Sequence, residues 1–136
     1  MELPPAIPYD DALPPEVRVD FDGSSGCIAE ARDAADLFLR HHAPHGRGTF
    51  HGDVLLVVSE LVTNAVRHAP GPLTLRVGLL PGGIGISVRD TSPSLPRART
   101  PDRTGGRGWF IVQSLARRVH VDPRPGGKTV RAELDW

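Results

Sequence analysis

The chain has 136 residues, enough for one domain of ordinary size and too few for two full ones. Its 16 basic and 16 acidic residues leave no net charge. This balance argues against a protein that coats DNA or an anionic membrane, because both need an excess of positive charge. The charges are nevertheless sorted, with eleven acidic and four basic residues in 1–60 and five and twelve in 61–136. A basic tail, a dimer contact or an anion site would each produce such sorting.

The sequence also lacks the signals of membrane proteins, secreted proteins and Walker-type nucleotide-binding proteins. No apolar run approaches the roughly 20 residues that a membrane span needs, and the N-terminus shows no secretory signal. No membrane partner is therefore expected. Cys27 is the only cysteine, which fits a reducing cytoplasm. Lys128 is the only lysine, and it precedes a strand pattern rather than a helix. A Walker-type phosphate loop is therefore excluded.

The first half of the chain predicts an arm, a strand and two helices. Residues 1–15 contain five prolines and read as an extended arm. Residues 16–21 alternate polar and apolar, which predicts a strand, and a helix follows over 27–42 with Ser24 or Ser25 as its N-cap. A second helix is predicted from an N-cap at Asp53 to about Ala69, where prolines end it.

The second half predicts a hairpin, a long loop, a helix and two further strands. Residues 73–80 and 84–90 read as an antiparallel hairpin, and residues 91–107 read as a long loop of the kind that covers binding sites. A helix is expected over 108–119, then strands at 120–122 and 129–134. The order β-α-α-β-β-α-β-β favours one α+β domain over 16–136, a two-layer sandwich with helices on one face of the sheet.

The second helix carries a polar stripe. Glu60, Asn64 and His68 are spaced four residues apart, so they share one face of a helix that is otherwise mostly apolar. Such a stripe can simply be the solvated side of the helix. Asparagine is a poor helix former in mid-helix, however, and a carboxylate one turn from an amide can provide a general base beside a Mg²⁺ ligand.

Two other features could contact a ligand. Asp90 ends an apolar strand at the start of the long loop, where it is either a turn residue or a buried carboxylate that accepts a hydrogen bond from a ligand amine. Residues 105–108 form a glycine-rich lead-in to the third helix, which lets backbone N–H groups approach an anion or simply gives flexibility.

Zinc and hydrolase chemistry have little support. Four histidines, His41, His42, His45 and His51, surround the loop after the first helix, but Pro44 interrupts the helix that would align them and no cysteine or carboxylate completes a zinc pattern. We interpret them as solvated loop histidines. No Gly-x-Ser-x-Gly motif of nucleophilic hydrolases is present.

Together, these motifs resemble the ATP-binding domain shared by gyrases, histidine kinases and mismatch-repair ATPases, the Bergerat fold. Within it they are most similar to the anti-sigma-factor serine kinases and related regulatory proteins of actinobacteria. Residues 60–65 match the N box, Asp90 with its loop the first glycine box, 106–112 the second, and 127–129 the terminal strand motif. The resemblance covers about residues 16–136 and implies a mixed, mostly antiparallel sheet.

The resemblance also implies roles for individual residues. Glu60 would orient or deprotonate the nucleophile and Asn64 would ligate Mg²⁺, while Asp90 would accept a hydrogen bond from the adenine amine. The remaining expected nucleotide-binding residues are Gly106 and Gly108 against the phosphates, Arg107 beside them, and Thr129, which would help hold the adenine through a water. From helical spacing we add Arg67 and His68, which lie within reach of the same pocket.

The sequence departs from the family pattern at two places. Ser92 and Ser94 stand where the first glycine box usually has glycines, so the loop there must be shaped differently. Trp109 replaces a smaller aliphatic residue and can pack over the ligand or into the core.

The function expected from the resemblance is ATP- and Mg²⁺-dependent regulation of transcription. One form is a serine kinase that phosphorylates a small antagonist protein and in its other state sequesters a sigma factor, with homodimerisation as a family expectation. The alternatives are a non-catalytic ATP-dependent switch and a pure interaction domain with an empty site. Arginines at 97, 99, 103 and 107 would lie beside the nucleotide phosphates. The acidic first half is either a partner surface or a solvated face.

Overall fold

The computed structural model describes residues 13–68, 71–92 and 108–136, and they form five strands and three helices. The elements are β1 Glu16–Phe21, α1 Cys27–His42, α2 Phe50–His68, β2 Leu73–Leu80, β3 Gly83–Asp90, α3 Gly108–Leu115, β4 Arg118–Arg124 and β5 Gly127–Asp135. Their order is the one that the sequence predicts. No helix in these ranges is long and apolar enough to cross a membrane.

The strands form one sheet in the order β1-β2-β3-β5-β4. All four neighbouring pairs are antiparallel, so the expected mixed sheet is corrected to an antiparallel one within the described ranges. The α+β class is confirmed.

Alternation along the strands assigns one face of the sheet to the helices. In β2 and β3, Leu75, Val77, Ile84 and Ile86 are fully buried, while Arg76 between two of them is exposed. The core joins these side chains to apolar residues of α1 and α2. We call the helix-covered side the inner face and the opposite side the outer face.

The helix starts differ from their predicted caps. Gly26 is the N-cap of α1 and makes no side-chain cap hydrogen bond, so the prediction of Ser24 or Ser25 is wrong. Helix α2 begins at Phe50 rather than after Asp53, whose N–H donates to the carbonyl of Thr49 at 2.9 Å. A tertiary contact accounts for this earlier start of α2. Phe50 is buried with its ring edge-on to Trp136 at a centroid distance of 5.6 Å.

Helix α3 ends earlier than predicted, because the residues that follow it hydrogen-bond to the sheet. The N–H of Arg117 donates to the carbonyl of Glu133 at 2.8 Å, and Arg118 already belongs to β4. β4 continues through Pro123, which a strand at the edge of a sheet tolerates.

Candidate functional site

The polar side chains of α2 lie beside its buried face. Glu60 and Asn64 are half-buried, and neither forms a hydrogen bond or ion pair with another residue in the described ranges. Arg67 and His68 follow at the exposed end of the helix. The expected stripe is therefore present, and its first two members, Glu60 and Asn64, have polar atoms available to a ligand.

Glu60 lies against the first residue of α3. A Cβ added to Gly108 would overlap Oε2 of Glu60, so the end of this side chain lies directly against the glycine. A carboxylate at a helix N-terminus is stabilised by the partial positive charge of the backbone N–H groups there. The structure thus brings Glu60 of the expected N box and Gly108 of the second glycine box into direct proximity.

Asp90 is a buried carboxylate, paired with the only lysine. Oδ2 of Asp90 accepts a hydrogen bond from Nζ of Lys128 at 2.8 Å, and each side chain is 3% exposed. Oδ1 accepts from the backbone N–H of Ser92 at 2.9 Å, and the same ammonium donates to the carbonyl of Ser92 at 3.3 Å. Burying two charges costs several kcal/mol each, and the attraction and hydrogen bonds within this pair offset that cost.

The position of the first residues of β5 brings Lys128 next to Asp90. Lys128 is the register partner of Asp90 in the β3–β5 pairing. A Cβ added to Gly127 would overlap the carbonyl oxygen of Asp90, so only glycine permits this approach of the two backbones.

The structure does not bring Thr129 together with Asp90. Thr129 pairs with Arg89, one register step away, and so lies on the outer face. There it contributes to a cavity of about 210 Å³. The cavity is lined by Arg18, Thr74, Arg76, Ser87, Arg89, Arg124 and Thr129.

Lys128 is the partner of Asp90 that the motif match did not assign. The sequence contains a signal for the direction of its side chain, because the apolar residues Val130, Ala132 and Leu134 share its parity along β5. The structure buries all three. Alternation therefore assigns Lys128 to the inner face, with Asp90, and Thr129 to the outer face.

Of the other residues singled out in the sequence, only some lie in the part of the chain that the structure describes. Gly106, Arg107, Ser94 and the remaining loop arginines lie outside the described residues. Trp109 is half-buried and packs against the core.

The histidines are not all loop residues. His41 and His42 belong to α1, and His51 belongs to α2, where its Nε2 lies 2.6 Å from Oδ1 of Asp36. This hydrogen bond holds the pKa of Asp36 below its ordinary value, with Arg40 adding to the effect. No group of three or more metal-binding side chains (His, Cys, Asp or Glu) occurs in the ranges 13–68, 71–92 and 108–136.

The donor set fits a nucleotide with Mg²⁺ better than zinc. An amide oxygen from Asn64 suits a hard cation that keeps several waters and is shared with phosphates. The half-buried position of Asn64 on α2, with no described partner for its amide, leaves that oxygen free for such a role.

Comparisons with known proteins identify the family of the domain. Residues 25–134 match the model of the histidine kinase-like ATPase domain. A search of the curated proteins found no match.

Two solved structures are similar in fold. One contains the RsbU and RsbW domains of Rv1364c from Mycobacterium tuberculosis, with 18% identity and a TM-score of 0.66 over 89% of this chain and 32% of that one. The other is the histidine kinase domain of the blue-light activated histidine kinase EL346 from Erythrobacter litoralis, with 25% identity and a TM-score of 0.50 over 80% of this chain and 61% of that one. This chain thus spans less than two thirds of either structure.

The family match covers most of the chain, and the solved structures share its α+β architecture. The chain therefore belongs to the histidine kinase-like ATPase domain family, whose ATP-binding architecture is the Bergerat fold.

Proposed function

We propose that this chain is an ATP-dependent regulatory protein of the anti-sigma-factor kinase type, which phosphorylates a serine of a small antagonist protein. The observation that carries the proposal is the position of Glu60, whose carboxylate lies at the first residue of α3 with no described partner. A general base must have a free carboxylate next to the phosphoryl donor, since it accepts the proton of the attacking hydroxyl.

Different residues of the chain would act on the serine, the adenine, the phosphates and Mg²⁺. Glu60 would accept the serine proton, Asp90 would accept a hydrogen bond from the adenine amine, and the N–H groups around Gly108 would bind phosphate oxygens. Asn64 would supply an oxygen ligand to Mg²⁺, which when bound neutralises charge on the phosphates. Arg107 and Gly106 are proposed for the same phosphates, and Arg67 and His68 for the rim of the pocket.

The fold neighbour with an RsbW domain supports this class of function. In its second state the protein would hold a sigma factor, and nucleotide binding would thereby control transcription. Charge sorting is consistent with this, because the basic half of the sequence contains the segments proposed to surround the phosphates.

A non-catalytic switch is the second candidate, and one contact favours it. Ser92, the first residue of the glycine-box segment that departs from the family pattern, donates its N–H to Asp90. The start of the long loop is thus tied to the carboxylate proposed to read the base. Base binding could change the shape of this loop, and hence the choice of partner, without phosphoryl transfer.

ATP binding is the first test. Millimolar ATP with Mg²⁺ should raise the melting temperature, because a ligand bound only by the native state stabilises it. Asn64→Ala should remove the Mg²⁺-dependent part of the shift. An unchanged melting temperature with ATP would instead favour an interaction domain with an empty site.

Phosphoryl transfer is the second test. Labelled ATP, the purified chain and the small proteins encoded beside its gene should give phosphoserine on one of them. Glu60→Ala should slow the transfer by roughly 10²- to 10⁴-fold, the usual contribution of a general base, while the ATP-induced thermal shift remains. Nucleotide-dependent binding of a partner without phosphoserine would support the switch and refute the kinase.

A further inference from the structure

Packing of the core does not require a lysine beside the proposed base-reading carboxylate. Val130, Ala132 and Leu134 continue the same face of β5 and are at most 4% exposed, so an apolar residue at Lys128 would extend an apolar surface. A buried ion pair is often no more stabilising than apolar side chains of similar volume. The charge of Lys128 therefore calls for an explanation other than packing.

The hydrogen-bonding capacity of the pair is only partly used. An ammonium has three N–H donors, and the described contacts use two of those of Lys128, to Oδ2 of Asp90 and to the carbonyl of Ser92. A carboxylate offers about four acceptor positions, and the described contacts of Asp90 use one on each oxygen. The pair thus keeps unused acceptor positions and an unused cationic N–H side by side.

We propose that Lys128 is a specificity-determining residue that reads the nucleotide base together with Asp90. The Watson–Crick edge of adenine carries an amine donor next to a ring-nitrogen acceptor, N1. Asp90 accepts from the amine, and the third N–H of Lys128 donates to N1. This inference rests on the proposed function, in which ATP places its base at Asp90.

Register makes this assignment specific to Lys128. It is the β5 residue opposite Asp90 on the inner face, whereas Thr129 turns to the outer face, away from that carboxylate. A direct ammonium contact therefore takes the place of the contact through water expected of Thr129.

Nucleotide analogues test the contact in the unmodified protein. Calorimetric titration would compare ATP with 1-deaza-ATP, in which a C–H replaces N1, and with 3-deaza-ATP as the matched control. We expect 1-deaza-ATP to bind about 10-fold more weakly or worse, because the ammonium loses a charged hydrogen bond in a buried site. 3-deaza-ATP should bind like ATP. Equal affinities for ATP and 1-deaza-ATP would overturn the inference.

Variants assign the effect to the side chain. Lys128→Met should bind ATP about 10-fold more weakly and should no longer distinguish ATP from 1-deaza-ATP, whereas Thr129→Val should keep both the affinity and the discrimination. Tighter ATP binding by Lys128→Met would overturn the inference, since Lys128 would then compete with the base for Asp90.

A measurement without substitution covers the case in which Lys128→Met does not fold. Since the chain has one lysine, ¹⁵N-lysine labelling gives a single Nζ signal. This signal should shift on addition of ATP and shift much less with saturating 1-deaza-ATP. Identical shifts would refute the contact. Failure of ATP itself to bind would overturn the proposed function, whereas ATP binding without discrimination would overturn this inference alone.

Discussion

Two neighbouring residue pairs of β3 and β5 lie on opposite faces of the sheet. Asp90 and Lys128 face each other on the inner side at 3% exposure, while Arg89 and Thr129, one step along the same register, face each other on the outer side. Arg89 is exposed and forms no ion pair with another described residue. The same two strands thus hold a buried ion pair on one face and solvated polar groups on the other.

The difference shows that chemical type does not decide where a polar residue acts in this sheet. A threonine is the easier residue to bury, yet here the lysine is buried and the threonine is not. The side-chain period of two decides this, because the apolar residues of β5 fix which parity faces the helices. Substitutions on the two faces should therefore differ strongly in cost.

The largest expected effect is that of Lys128→Met on stability. Removing one partner of a buried ion pair leaves the Asp90 carboxylate uncompensated, which typically costs about 3–5 kcal/mol. Urea unfolding measures this loss. The double variant Asp90→Leu/Lys128→Met should recover most of it, since no buried charge remains. Additive costs of the two substitutions would contradict this reading of the pair.

Gly127→Ala should come next, with a cost of about 1–3 kcal/mol. Its new Cβ would overlap the backbone carbonyl of Asp90, which cannot move without disturbing β3. Gly85→Ala is the matched control, because its Cβ would meet the end of the flexible Arg131 side chain, at 2.7 Å from Nη2. Equal losses in urea unfolding would show that the backbone contact at Gly127 does not matter.

Outer-face substitutions should have little effect. Arg89→Met and Thr129→Val, measured in the same way, should each change the free energy of unfolding by no more than about 0.5 kcal/mol, as is usual for surface sites. A loss near that of Lys128→Met would break the comparison, since the outer face would then carry a structural network of its own.

The smallest effect concerns the pH dependence of an outer-face carboxylate. Thr74 donates to Oδ1 of Asp20 at 2.7 Å, and this hydrogen bond, opposed by desolvation and aided by Arg18, holds the pKa of Asp20 below its ordinary 3.8. A carboxylate with a lowered pKa stabilises the fold above the pKa of the unfolded chain and loses that contribution as pH falls through the folded value.

The penalty of Thr74→Val should accordingly be small at pH 7 and should shrink further when unfolding is measured near pH 3. An equal penalty at both pH values would assign the effect of Thr74 to packing instead.

Much of the candidate site could be predicted from the sequence. The spacing of Glu60 and Asn64 placed both on one side of a helix, and the position of Asp90 at the end of an apolar strand placed it at the start of the long loop. These are local patterns, which helix and strand periods translate directly into faces. The contact between Glu60 and Gly108 could not be predicted from local patterns, because the two residues are 48 positions apart in the chain.

Errors in the predictions occurred where tertiary contacts overrode local signals. Asp53 is a good capping residue, but burial of Phe50 against Trp136 starts α2 earlier. Arg117 and Arg118 suit a helix end, but bonding to the sheet near Glu133 ends α3 at Leu115 instead. In both cases the deciding partner lies far away in the sequence, where local propensity carries no information.

The sequence by itself determined the element order, the α+β class and the motifs of the ATPase family, because these depend on periodicity and on residue type. Tertiary structure alone decided which charge meets Asp90. That choice depends on the register between β3 and β5, which is set by the close backbone approach at Gly127 and by burial of the alternating apolar side chains.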